Sequence, residues 1–136
     1  MTVTSPLLNI LINSVRMVRK FVVRDFHEIE KIQDSLKNNE VFIKKSYTRL
    51  NLEVIELLQK IKPNFKIYNK FDRNNSDCWV IDFTDYEANL SRANENLGFR
   101  IALQENCTIK SFLFYNPIKD EYFFFEKGLG SYKNDS

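Results

Sequence analysis

Residues 97–126 have the sequence LGFRIALQENCTIKSFLFYNPIKDEYFFFE. Glu105-Asn106 makes a tight connection inside this stretch, and residues 116–120 supply the Asn, Pro and Asp that are typical of turns. Strands that are joined so closely pair in antiparallel orientation. The stretch therefore predicts an antiparallel sheet built from three runs that are rich in β-branched and aromatic residues: 97–104, 108–115 and 121–126.

The amino-terminal part of the chain has a helical period instead. Ser5 can cap a helix and Pro6 fits its first position, and apolar residues then recur at three- and four-residue spacing to about residue 30. Residues 34–46 are interpreted as a loop or a short hairpin. A second helix is predicted over residues 47–61, with Pro63 ending it.

Between the helices and the antiparallel runs, the sequence predicts a short strand at 65–68 and an apolar strand at 78–83, followed by a polar, irregular stretch at 84–95. The resulting layout is two helices followed by a mainly antiparallel sheet with one face covered by them. This is an α+β fold. We expect residues 1–136 to form a single domain.

The composition is that of an ordinary globular chain, with 136 residues, 43% hydrophobic, 28% charged and a net charge of +2. These values exclude disorder as the default and are too mild to indicate nucleic-acid binding. Cys78 and Cys107 do not form a disulfide framework, which favours a reduced, cytoplasmic setting. No secretory leader is recognised and no apolar run reaches the roughly 18 residues of a membrane span, so no membrane association is expected.

Three local patterns have both a structural and a functional interpretation. A basic stripe on the first helix, formed by Arg16, Lys20 and Arg24, is either a solvated face or a surface for an acidic partner. His27, the only histidine, has no nucleophile pattern beside it, which favours a surface or packing role. Residues 123–125 are three phenylalanines, and core packing is favoured over base stacking because no basic pattern interleaves them.

The residues best suited to chemistry are Asp82 and Asp85, directly after the apolar strand Trp79-Val80-Ile81. Two aspartates at a strand end can converge on one divalent cation, and hard cations such as Mg²⁺ prefer carboxylate oxygens. Turn-forming aspartates are the alternative explanation.

The chain resembles the inositol monophosphatase family, including its bacterial extragenic-suppressor type. Trp79-Val80-Ile81-Asp82-x-x-Asp85 is similar to the family pattern Trp-Val-Ile-Asp-Pro-Leu/Ile-Asp-Gly-Thr. Four further segments resemble family segments in family order: 5–10, 99–106, 115–123 and 126–131. The resemblance implies the first lobe of a layered αβαβα fold. It also implies hydrolysis of phosphate monoesters such as inositol phosphates, with Mg²⁺ ions that polarise the phosphate and activate water.

Several positions depart from the family pattern. Asp82 and Asp85 stand at the family's two metal-bridging aspartates, but Tyr86-Glu87 replaces the Gly-Thr that meets phosphate and water. Lys70 stands near a metal-binding glutamate of the family. We hypothesise that the Lys70 ammonium pairs with Asp82 or Asp85 in place of a metal.

Other family elements are missing altogether. The upstream aspartates of the family align near residues 42–48, where Thr48 ends a segment without either of them. The second lobe, which supplies another metal ligand and grips the substrate, has no counterpart in this sequence. The resemblance therefore implies a truncated, catalytically inactive remnant whose binding of Mg²⁺ and of a small phosphate ester is doubtful.

Two alternatives remain open: one half of a split Mg²⁺-dependent phosphatase, or a regulatory binding module. Without a second lobe the sheet is expected to expose apolar side chains among Phe112, Phe114 and Phe124. A second copy of the chain or a separate chain carrying the second lobe is the expected partner, and nucleic acid is not.

Overall fold

The computed structural model describes residues 5–32, 36–128 and 130–133. Helices precede most of the strands along the chain. No described helix is both long and apolar enough to cross a bilayer. The elements are α1 (Pro6–Arg16), α2 (Arg19–Ile32), α3 (Leu36–Ile61), β1 (Lys66–Tyr68), β2 (Cys78–Asp82), α4 (Tyr86–Ser91), β3 (Phe99–Glu105), β4 (Thr108–Asn116), β5 (Glu121–Glu126) and β6 (Gly130–Lys133).

The strands form one six-stranded sheet in which each strand pairs with its neighbours in the chain, in the order β1 to β6. The pairing of β1 with β2 is parallel, and the other four pairings are antiparallel. The predicted α+β class and mainly antiparallel sheet are confirmed. β6 was not predicted, because only Gly130 to Lys133 form it and they do not alternate between apolar and polar residues.

One face of the sheet belongs to the core. A row of apolar residues crosses four strands in register, from Ile81 through Ile101 and Leu113 to Phe124. Each of them is at most 5% exposed, and they form one cluster with buried helix residues such as Leu8. The alternation of the strands thus gives the helices a continuous apolar surface to cover.

The opposite face of the sheet is open. Phe112 and Phe114 lie on it and are half-buried, while Phe123 and Phe125 are 43% and 37% exposed. The prediction that Phe124 is exposed was wrong, because Phe124 is 2% exposed and points to the core. Successive side chains of a strand point to opposite faces, so Phe124 turns away from both of its phenylalanine neighbours.

The first predicted helix is interrupted. α1 ends at Arg16 and α2 begins at Arg19, because the N–H groups of Met17 and Val18 donate to the carbonyl oxygens three residues back, at 3.1 and 3.2 Å. Val18 remains 2% exposed. The apolar period therefore continues through the interruption, which explains why the residue spacing predicts an unbroken helix.

The interpretation of residues 34–46 as a loop or hairpin was wrong for the residues that the structure describes. α3 already begins at Leu36, while residues 34 and 35 lie outside the described residues. Its buried face includes Asn39, Ile43, Ser46 and Leu50, a three- and four-residue spacing in which two members are polar. These polar members conceal the helical period from a search for apolar residues.

Two long-range contacts attach α1 to the far end of the chain. The Ser5 hydroxyl accepts from the Leu8 N–H at 3.1 Å and donates to Glu126 Oε2 at 2.6 Å. Arg16 donates to both carboxylate oxygens of Asp120, at 3.2 and 2.8 Å, and the Tyr115 hydroxyl donates to Oδ1 at 2.7 Å. Burial alone would raise the pKa of Asp120, but the bonds from Arg16 and Tyr115 bring it below its ordinary value.

Candidate functional site

Asp82 is the last residue of β2, and its carboxylate is already engaged inside the protein. Its Oδ1 accepts from the N–H of Thr84 at 2.8 Å and from the Thr84 hydroxyl. Its Oδ2 lies 3.6 Å from Nη1 of Arg100, the residue directly opposite on β3. Both side chains are partly exposed, at 40% for Asp82 and 46% for Arg100. The carboxylate thus closes the turn after β2 and forms an ion pair across the strands.

Asp85 occupies the position before α4 in a left-handed conformation, with φ of +65°. Its carbonyl oxygen accepts from the Asn89 N–H at 2.9 Å, but its side chain does not cap the helix. Aspartate tolerates this conformation better than most residues do. The predicted irregular stretch 84–95 therefore contains a short helix, and Asp85 is an exposed carboxylate at the start of it.

A cleft of about 390 Å³ lies on the α3 side of this turn and is acidic. Its described lining includes the carboxylates of Asp82, Asp85 and Glu87 and no Lys, Arg or His. The remaining lining is uncharged and includes Tyr47 and Asn51 of α3. We call this space the acidic cleft.

A larger cleft of about 730 Å³ lies on the other side of the turn, over the open face of the sheet. It shares Asp82 and Asp85 with the acidic cleft, but here positive charges are present as well, among them Arg100. The Arg100 guanidinium also lies 5.5 Å from the centre of the Phe114 ring. Acidic and basic groups largely balance each other in this cleft, so it has no strong preference for an ion of one sign.

The residues of the acidic cleft do not fit the Mg²⁺ that the resemblance implies. Mg²⁺ requires near-octahedral oxygen ligands and gives up its water reluctantly. In the part of the chain that the structure describes, no three His, Cys, Asp or Glu side chains lie close enough together to hold a metal ion. Asp82, moreover, would have to share its oxygens with Thr84 and Arg100.

The two residues in place of the family's Gly-Thr differ in their surroundings. Tyr86 is 1% exposed, and its hydroxyl lies 3.1 Å from Oγ of Ser46, inside the core. Burial raises the pKa of Tyr86 to about 12. Glu87 is exposed and lines the acidic cleft. Both positions were predicted to be altered. Tyr86 packs in the core, and Glu87 adds a carboxylate to the lining of the acidic cleft.

The other two altered positions do not enter the site. Lys70 is exposed and, within the described residues, forms no ion pair with Asp82 or Asp85, so the hypothesis of that pair was wrong. Its ammonium stays in solvent, and Arg100 pairs with Asp82 in its place because strand pairing sets the two opposite each other. Thr48 is exposed on α3 and does not line the acidic cleft.

Three side chains that line the acidic cleft were not predicted from the sequence. Tyr47 and Asn51 are one helical turn apart on α3, and Asn69 follows β1. A helix assigned from residue 36 would have placed Tyr47 and Asn51 on one face, because residues four apart are neighbours on a helix. Asn69 carried no comparable signal.

The chain is similar in sequence to known proteins over almost its whole length. No family model matches the sequence. The chain is similar to a Rhizobium meliloti protein named inositol-1-monophosphatase, with 25% identity over 96% of this chain and 51% of that protein. It is also similar to a Buchnera aphidicola protein named Nus factor SuhB, with 24% identity over 95% of this chain and 51% of that protein. The chain spans about half the length of the curated relatives it matches.

Solved structures show the same fold. The extragenic suppressor protein SuhB from Bartonella henselae superposes with a TM-score of 0.76 at 20% identity, over 98% of this chain and 53% of that one. SuhB from Mycobacterium tuberculosis gives a TM-score of 0.68 at 15% identity, over 91% and 45%. The predicted correspondence to the amino-terminal half of the layered phosphatase fold is confirmed. Along almost its whole length this chain is similar in sequence to about half of proteins named inositol-1-monophosphatase and Nus factor SuhB, and it shares the fold of solved SuhB structures.

Proposed function

We propose that this chain, acting alone, is a phosphatase-like protein that does not hydrolyse phosphate monoesters with Mg²⁺. The acidic cleft carries the proposal, because Asp82, Asp85 and Glu87 line it without a basic residue among its described lining. A phosphate dianion has no counter-charge there. Asp82 and Asp85 are the remnant of the family's metal-bridging pair in this proposal.

The electrostatic cost of substrate binding supports this proposal. Two unit charges about 4 Å apart interact by about 4 kcal/mol at an effective dielectric constant near 20. The carboxylates are partly exposed, so solvent and salt reduce this repulsion. Glu87 nevertheless stands where the family has a neutral hydroxyl, and every phosphate that enters must meet its charge.

A phosphate-release assay tests the proposal directly. The purified chain is incubated with inositol 1-phosphate and Mg²⁺, beside the Rhizobium meliloti inositol-1-monophosphatase as the comparison enzyme. We expect no release above background and no difference between this chain and its Asp82→Asn variant. Turnover that Asp82→Asn abolishes would overturn the proposal. Calorimetric titration with Mg²⁺ should show no binding at sub-millimolar affinity.

One half of a split phosphatase is the second candidate, and the observation that favours it is the coverage of about half of each relative. A separate carboxyl-terminal half cannot remove the charge of Glu87, because Glu87 belongs to this chain and lines the acidic cleft. We therefore expect no activity when the chain is mixed with a separately produced carboxyl-terminal half of the Rhizobium meliloti protein. Phosphate release in the mixture only would favour the split enzyme.

A second copy of the chain is our proposed partner for the open face of the sheet. Phe123 and Phe125 leave an apolar surface there beside half-buried Phe112 and Phe114. Contiguous exposed apolar surface of this kind drives association. A regulatory role, suggested by relatives that are named Nus factor SuhB, would require a recognition surface elsewhere on the molecule.

A further inference from the structure

We infer that a groove between α2 and α3 binds an acidic peptide segment that carries one apolar anchor residue. The groove has a volume of about 530 Å³ and shares no lining residue with either cleft at Asp82. It can therefore be tested independently of the proposed loss of hydrolysis. We call it the basic groove, and it is lined by Met17, Lys20, Phe21, Arg24, Arg49 and Glu53.

The floor of the basic groove is apolar. Phe21 is 7% exposed, and the guanidinium of Arg49 lies 4.5 Å from the centre of its ring. Met17 lies at the interruption between α1 and α2 and is 71% exposed. An unbranched, polarisable methionine adapts to different apolar partners. Met17 is thus the exposed part of this floor and offers a contact for one apolar side chain.

The rim of the basic groove is positively charged. Lys20, Arg24 and Arg49 line it against the single carboxylate of Glu53. Among the described residues, Lys20 and Arg49 form no ion pair. Arg24 is paired only with Asp25, its neighbour in the chain, at 3.4 Å, and is itself 62% exposed. The guanidinium of Arg24 keeps further N–H donors in solvent, so all three cations can contact a partner.

The structure also changes the membership of the basic stripe seen in the sequence. Arg16 does not line the groove, because its side chain donates two hydrogen bonds to Asp120. Arg49, from α3, replaces it beside Lys20 and Arg24. The positive surface is thus formed by two helices instead of one, and a continuous groove separates them.

An acidic peptide fits this surface better than a nucleic acid does. Phe21, the only aromatic ring in the described lining of the groove, is buried beneath Arg49 and offers no face on which a base could stack. Glu53 would meet a phosphate backbone, and the whole chain carries a net charge of only +2. A short peptide can instead place its carboxylates on the three cations and an apolar side chain on the floor.

Binding to an array of fluorescent synthetic peptides tests the inference. Each peptide has one central residue flanked by Asp and Glu, and the central residue is varied among Phe, Leu, Met and Ser. We expect the apolar centres to bind more tightly than Ser. Replacing the flanking acids by Asn and Gln should remove binding.

The dependence on the groove is measured with the Lys20→Glu/Arg24→Glu double variant. We expect affinity to fall about tenfold or more, since two attractive exposed pairs become repulsive. Lys44→Glu/Lys45→Glu is the matched control, because both lysines are exposed on α3 outside the groove and the net charge changes by the same amount. It should leave affinity nearly unchanged, and circular dichroism of all variants reports on folding.

Three results would overturn the inference. The first is the absence of binding by every peptide of the array. The second is an equal loss of affinity in Lys44→Glu/Lys45→Glu, which would indicate attraction to overall charge. The third is tighter binding of a single-stranded RNA oligonucleotide that depends on Lys20 and Arg24, which would assign the groove to nucleic acid.

Discussion

Restoring the family's Gly-Thr motif should unfold this protein before it restores any chemistry. The relevant change is Tyr86→Gly, because Tyr86 is 1% exposed and is among the largest fully buried side chains. An aromatic side chain buries about 150–250 Å², which at about 25 cal/mol per Å² is worth about 4–6 kcal/mol. The area-based value is an upper bound, because unfolded chains already bury some surface. Aromatic-to-alanine changes in protein cores cost about 3–5 kcal/mol.

The lost hydrogen bond adds to that value. The Tyr86 hydroxyl lies 3.1 Å from Ser46 Oγ, and Ser46 is 3% exposed, so solvent does not replace the missing partner. A buried group left unpaired costs about 1–3 kcal/mol. We expect a total of about 4–8 kcal/mol, and since small domains have only about 5–15 kcal/mol of stability, a large fraction of the chain should be unfolded.

Urea denaturation followed by tryptophan fluorescence measures the change. Trp79 is the single tryptophan and is fully buried in β2, so its emission reports on the core. Tyr86→Phe, which keeps the ring, should cost only about 1 kcal/mol. Glu87→Thr, at an exposed position, should stay within about 0.5 kcal/mol of the parent. A loss below about 2 kcal/mol for Tyr86→Gly would refute the packing role of this residue.

Three further predictions concern other parts of the molecule. Because the pKa of Asp120 is lowered in the folded state, its contribution to stability is present above its unfolded pKa and is lost as pH falls through the folded one. Urea midpoints in the acid range should therefore drop more for the parent than for Asp120→Asn, and equal drops would contradict the role of the Arg16–Asp120 pair. Phe123→Ser/Phe125→Ser should weaken self-association in sedimentation velocity, and an unchanged distribution would remove the open face from that role. Asn39→Leu should raise the free energy of unfolding by about 1 kcal/mol, because the Asn39 side-chain oxygen is buried without a hydrogen-bond partner among the described residues; a lower urea midpoint would show that the amide is needed there.

The bounds of the strands were predictable, because they depend on the residue types within each strand. β5 was predicted with the bounds that the structure shows, and β3 and β4 within two residues of theirs. Which of the three consecutive phenylalanines points to the core was not predictable. Alternation along the strand separates Phe124 from its two neighbours but does not say which face of the sheet the helices cover. The register of β4 and β5, which places Phe124 opposite Leu113, decides that question.

The site was predictable in its residues but not in its contacts. Asp82 ends β2, and Asp85 follows in the turn that leads into α4. The partner of Asp82 depends on strand pairing, which sets Arg100 opposite it, and no local pattern near Lys70 or Arg100 distinguishes the two cations. Tyr47 and Asn51 were missed for a related reason, since the helix that carries them has polar residues at buried positions.

The bond between Ser5 and Glu126 has a consequence for the order of events during synthesis. The first helix leaves the ribosome early, but the acceptor for its capping hydroxyl is made more than a hundred residues later. Contacts so distant along the chain close slowly, because the loop between them must first be ordered. This contact therefore cannot form before the fifth strand is made, and until then the start of the helix is held by the Leu8 and Asn9 amides, which donate to the hydroxyl and carbonyl oxygens of Ser5.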